Sequence, residues 1–138
     1  MNDAIRNAAG ADLKGATTVL DPEARHVTII NTYVVEPERA AELIEFLVAA
    51  TRSTIRHVPG FLSANLHVAI DRTLVVNYAQ WQSREAIAAA RENRQVVTLM
   101  REQPRIAKSF APALYDLRAC FSGASCTRLL LTPRRDGG

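Results

Sequence analysis

Apolar and polar positions alternate along several short stretches of this chain and recur at helical spacing between them. The clearest alternating stretch is Leu74-Val75-Val76-Asn77-Tyr78-Ala79-Gln80-Trp81. Its β-branched and aromatic residues, uninterrupted by Gly or Pro, predict a strand. Alternation puts Val75, Asn77, Ala79 and Trp81 on one face and Leu74, Val76, Tyr78 and Gln80 on the other. A carboxamide and the only Trp of the chain thus share a face, roughly 13 Å apart along the strand. A polar amide among apolar neighbours needs a hydrogen-bond partner, and a ligand is one candidate for it.

The same pattern organises the rest. From His26 a strand is predicted, with Val27, Ile29, Asn31, Tyr33 and Val35 on one face, so a second carboxamide lies among apolar groups. Glu36-Pro37-Glu38 starts a helix over about residues 37–57. Its apolar stripe is Ala40, Leu43, Ile44, Leu47, Val48 and Thr51, and it stops at Pro59-Gly60. His57 in its last turn complements the helix dipole. A strand over 61–70 follows, with Asn65 and His67 on one face and a purely apolar set, Leu62, Ala64, Leu66, Val68 and Ile70, on the other. Asp71-Arg72 joins it to the 74–81 strand as a hairpin. Ser83 is the expected N-cap of a helix over 84–91; helical character resumes over 95–102 until Pro104. A last strand is expected over 111–121. Residues 129–131 offer a terminal strand, and residues 17–20 an extra strand or a segment docking on a partner subunit.

The order β-α-β-β-α-β defines an α+β, ferredoxin-like fold with an antiparallel sheet and helices on one face. Two such sheets packed face to face in a dimer cover the remaining face. The expected organisation is an N-terminal extension over 1–25, a domain over 26–121 and a C-terminal extension over 122–138.

Composition narrows the partners. The 138 residues, 48% hydrophobic and 22% charged, support one globular domain with a real core. A formal charge of +3 is spread among acids except at Arg134-Arg135, and no aromatic-basic platform accompanies it, so nucleic acid is not expected. Cys120 and Cys126 lack a second pair, and the three histidines are dispersed, which argues against a metal site and for reduced thiols. No signal-peptide core or membrane span is found, so a cytoplasmic protein without membrane partners is expected.

The Pro59-Gly60-Phe61 turn, the Ser63-Ala64-Asn65-Leu66-His67 strand and the block Asn77-Tyr78-Ala79-Gln80-Trp81-Gln82-Ser83 resemble the antibiotic biosynthesis monooxygenase family over about residues 26–120. That family contains dimeric α+β-barrel proteins, among them the cofactor-independent anthrone oxygenases of polyketide pathways. The resemblance implies pocket roles for Asn77 and Trp81, matches Asn31 to a first-strand carboxamide, and brings His67 and Arg101 to positions where such enzymes have pocket residues. It implies a homodimer with no cofactor, acting on a small aromatic substrate with O2. Where some members carry a Tyr in the second helix, this chain has Ile87. Haem-degrading relatives need a His after the Trp, and none follows Trp81 here. The alternative is a non-catalytic small-molecule-binding or accessory dimer of the same fold.

Oxygenation without metal or flavin requires a substrate that reduces dioxygen itself, as a deprotonated anthrone can. The protein must accept a proton, stabilise the oxyanion and exclude water. Asn77 and Asn31 are the expected oxyanion donors, Trp81 a flat wall, and His67 the candidate base. Asn65, which shares the face of His67, and Arg101 complete the expected substrate contacts.

Overall fold

A computed structural model describes residues 15–124. The sheet is built from β1 (Val27–Val34), β2 (Phe61–Val68), β3 (Leu74–Trp81) and β4 (Ser109–Asp116). Between them run α1 (Ala40–Ser53), α2 (Arg84–Glu92) and α3 (Arg94–Glu102). The strands lie in the order β2-β3-β1-β4 with every pairing antiparallel, the ferredoxin-like arrangement.

Local chemistry sets the element boundaries. Pro37 opens a short 3-10 turn into α1, and Arg39 locks that entry by bonding Glu42 (2.9 and 3.1 Å) and the Arg105 carbonyl (2.7 Å). α1 buries Ala40, Leu43, Ile44, Leu47 and Ala50, while the expected stripe members Val48 and Thr51 are half-buried. The α-helix ends at Ser53, and residues 55–57 continue as a 3-10 turn, so the 37–57 span holds three pieces rather than one helix. Ser83 caps α2 by accepting from the Ala86 N–H at 3.0 Å. Asn93 is extended and accepts from the N–H groups of Gln95 and Val96, so it separates α2 from α3 and starts the second.

Strand β4 begins and ends earlier than the expected 111–121. It runs alongside β1, from Val34 against Ser109 to Val27 against Asp116, so the length of β1 fixes its extent. Pro112 is tolerated within it because β4 is an outer strand. In β2, a bulge between Phe61 and Ser63 pushes Leu62 outward and leaves both Phe61 and Ala64 packed on the helix side. The turn after β2 is closed by Asp71, whose carboxylate accepts from the Thr73 N–H and hydroxyl. Residues 17–20 form no strand; Thr18 and Val19 instead bond Asn65 and Gln80 of the chain's own sheet. The 129–131 strand expected from sequence lies outside the described residues.

The helix-covered side of the sheet holds two separate apolar clusters. One joins Val27, Ile29, Ala79 and Trp81 to Ile87, Ala90 and Val96. The other joins Tyr33, Val35 and Val75 to Leu43, Leu47 and Ala107. Gly60 holds the first cluster in place: its φ is +91°, and a Cβ there would run into the Ala86 side chain. Gly60→Ala is therefore expected to destabilise the fold by about 2 kcal/mol, whereas Gly123→Ala, whose added methyl meets nothing within 4 Å, leaves the urea midpoint unchanged.

Candidate functional site

The register of β1 on β3 sets Asn31 directly opposite Asn77. Leu66 of β2 continues this row beyond Asn77, and Pro112 of β4 continues it beyond Asn31. The row crosses the sheet between the two apolar clusters, since its neighbours Ile29 and Ala79 belong to one cluster and Tyr33 and Val75 to the other. Two carboxamides about 5 Å apart thus interrupt the core.

Both amide oxygens, Asn31 Oδ1 and Asn77 Oδ1, are buried with no hydrogen-bond partner. Each such atom costs on the order of 1–3 kcal/mol. Neither side chain is fully buried, so the exposure that remains belongs to the rest of each residue. With the oxygens turned inward, the amide N–H2 groups are the polar atoms available to a ligand. A half-turn of either amide exchanges donor for acceptor.

Trp81 is 7% exposed and packs edge-on against Phe61, with ring centroids 5.5 Å apart and planes at 85°. It shares the face of Asn77 but stands within the first cluster, one Ala79 away from the amide row. Ile87 is buried in that same cluster, so the position where some relatives carry a Tyr is apolar packing here.

Three expected site residues lie elsewhere. His67 stands opposite Val76 and Asn65 opposite Tyr78, which places both on the far face of the sheet from Asn77. The expectation that His67 acts as base beside the amides is corrected by that register: opposite residues in paired strands share a face. Asn65 is already engaged, donating to the Thr18 hydroxyl at 3.0 Å and the Tyr78 carbonyl at 3.2 Å. Arg101 is exposed in the last turn of α3.

The structure adds Tyr33, which sequence reasoning placed on the Asn31 face without a role. It is 1% exposed and stacked on Phe110 at 4.9 Å. Burial pushes its phenol well above the ordinary value, and a hydrogen bond from the Gln103 side chain offsets this in part. The signal for it was alternation alone, two residues from Asn31 on one strand.

Burial of this phenol predicts an alkaline effect. Below about pH 10, the ordinary phenol value, Tyr33 is neutral in folded and unfolded chains and its stability contribution is fully present. Above that pH the unfolded chain ionises first, so stability declines as pH rises toward the folded value. Thermal midpoints measured from about pH 9 to 11 should fall more steeply for the wild type than for Tyr33→Phe.

Comparison with known proteins agrees with this fold. The sequence model of one family, described as antibiotic biosynthesis monooxygenase, matches residues 26–102. Tetracenomycin-F1 monooxygenase of Streptomyces glaucescens is 45% identical over 64 residues, 46% of this chain and 57% of that relative. The match thus spans little more than half the length of that relative. Among solved structures, the ActVA-Orf6 monooxygenase of Streptomyces coelicolor, bound to nanaomycin D, superposes with a TM-score of 0.68 at 28% identity, covering 75% of this chain and 96% of that one. SnoaB of Streptomyces nogalater, described as a cofactor-independent oxygenase, gives 0.57 at 19% identity, covering 72% and 98%. At that identity the likeness speaks for the fold.

Proposed function

Because the chain belongs to the antibiotic biosynthesis monooxygenase family, we propose that it is a cofactor-independent monooxygenase oxidising a polycyclic, anthrone-type substrate to a quinone with O2. The observation that carries this reading is the Asn31–Asn77 pair, two amides set without protein partners into the gap between two apolar clusters. The names of its relatives, a tetracenomycin-F1 monooxygenase and a monooxygenase solved with nanaomycin D, point to polycyclic aromatic chemistry. The catalytic unit is the domain over 26–121, working in the cytoplasm. Among the described residues no helix is long and apolar enough to cross a membrane.

In the proposed reaction the anthrone loses a proton from the ring methylene that faces its carbonyl across the central ring, and the amide N–H2 groups of Asn31 and Asn77 bond the enolate oxygen that forms. The enolate passes one electron to O2. The resulting radical and superoxide combine at the carbon that lost the proton, giving a peroxide. Loss of water, with the second hydrogen of that carbon, leaves the quinone. One anthrone and one O2 thus give one quinone and one water. With His67 on the other face, the first proton passes to water and returns to the peroxide before water is lost. Trp81 and the first cluster wall the ring system from bulk solvent.

The open face of the sheet supports a homodimer. It carries Ile30, Val34, Val76 and Tyr78, with Leu74 38% and Tyr115 48% exposed. Pairing of two copies through this face buries these groups. The non-catalytic reading, a ligand-binding dimer of the same fold, is favoured by one observation: Ile87 is apolar core where some relatives carry a Tyr.

The purified protein is expected to convert an anthrone to its anthraquinone under air with no added metal, flavin or nicotinamide. Asn77→Ala should slow conversion about a hundredfold, the effect of removing one oxyanion donor, and Trp81→Phe should slow it less. Quinone formation no faster than in buffer, across several anthrones, would favour the non-catalytic reading. A size measurement in solution checks the dimer: Tyr78→Arg on the open face should yield monomers.

A further inference from the structure

A hollow of about 720 Å³ runs along the outer edge of β2, bounded by α1 on the helix-covered side and reaching round the strand to the open face. Its size suits a small organic ligand. Because β2 is an outer strand, this edge has no neighbouring strand within the described residues. One wall is apolar, formed by Ile44 and Val48 of α1 with Leu66 and Val68 of β2. Arg52 and Arg56 stand beyond the end of that wall, and His67 and Ser63 line the opposite side.

Among the described residues no Asp or Glu lines this groove. Arg56 is exposed and enters no ion pair among the described residues. The Ser63 hydroxyl is buried and has no hydrogen-bond partner, an independent sign of a polar group waiting for one. A second hollow, of about 490 Å³ on the open face, differs in kind: Asp21 and Asp116 line it together with Arg25 and Arg118, so its charges compensate one another.

We propose that the groove along the β2 edge is a binding site for an apolar organic anion, an aromatic carboxylate or sulfonate whose flat body lies on Ile44, Val48, Leu66 and Val68 and whose charged group meets Arg56. His67, expected from sequence beside the amides, belongs to this groove. The inference does not depend on oxygenase activity, but the two sites adjoin: Leu66 lines the groove and stands opposite Asn77 in the sheet.

Two fluorescent probes of nearly the same body test it. Anilinonaphthalene sulfonate carries the anion and phenylnaphthylamine lacks it. The full chain is expected to bind the sulfonate saturably, one per chain. Arg56→Gln should weaken that binding about tenfold, as loss of a charged hydrogen-bond donor would, and leave phenylnaphthylamine binding unchanged. Thr51→Phe, which narrows the groove from α1, should weaken both probes, with thermal melting confirming that each variant is folded. The proposal is overturned by a sulfonate affinity insensitive to Arg56→Gln, by an equal loss for both probes in that variant, or by absence of saturable binding.

Discussion

The amide oxygens of the facing residues Asn31 and Asn77, buried without partners between two apolar clusters, are the constraint on which the site depends. Their position follows from one register. Val27 against Trp81 and Val34 against Leu74 leave Asn31 no neighbour across β3 but Asn77. A one-residue slip of either strand would turn its amide and its apolar set to the other face and expose the core. The apolar residues around them pin that register, so the same contacts that stabilise the sheet also hold an unfavourable polar pair in place. Natural proteins keep such a cost where it serves binding or chemistry.

The rest of the fold shapes the gap. Gly60 brings the turn before β2 against α2, so Ile87, Ala90 and Trp81 close one side. Arg39 ties the start of α1 to the segment before β4 and holds Tyr33, Leu43 and Ala107 on the other. Between them the row Leu66–Asn77–Asn31–Pro112 has no large aromatic group of its own. Family membership gives this gap a chemical context.

Much of this was legible in the sequence because period-two alternation is a strong signal. β3 was placed to the residue, and the shared face of Asn77 and Trp81 followed directly. The ferredoxin-like order followed from turn residues and helix caps such as Ser83. What alternation within one strand does not reveal is which of its faces meets a given face of the next strand. His67 and Asn65 were therefore grouped with Asn77, although the pairing of β2 with β3 sets them on the opposite side. The bulge at Leu62 adds to this, because it breaks the alternation near the start of β2. The early start of β4 was hidden by Pro112, which reads as a breaker unless the strand is known to be an outer one. The Tyr33–Gln103 contact joins residues seventy positions apart, and no local pattern announces it.

The most direct test joins stability to activity in one protein, the double variant Asn31→Leu with Asn77→Leu. Amides kept for chemistry should be replaceable by apolar side chains without loss of stability, since the substitution removes two unpaired buried oxygens. The urea midpoint is then expected to stay the same or rise, while quinone formation from an anthrone under air falls by at least about a hundredfold. A lower midpoint with quinone formation retained per folded molecule would contradict the account, because it would make the pair a structural feature of the sheet.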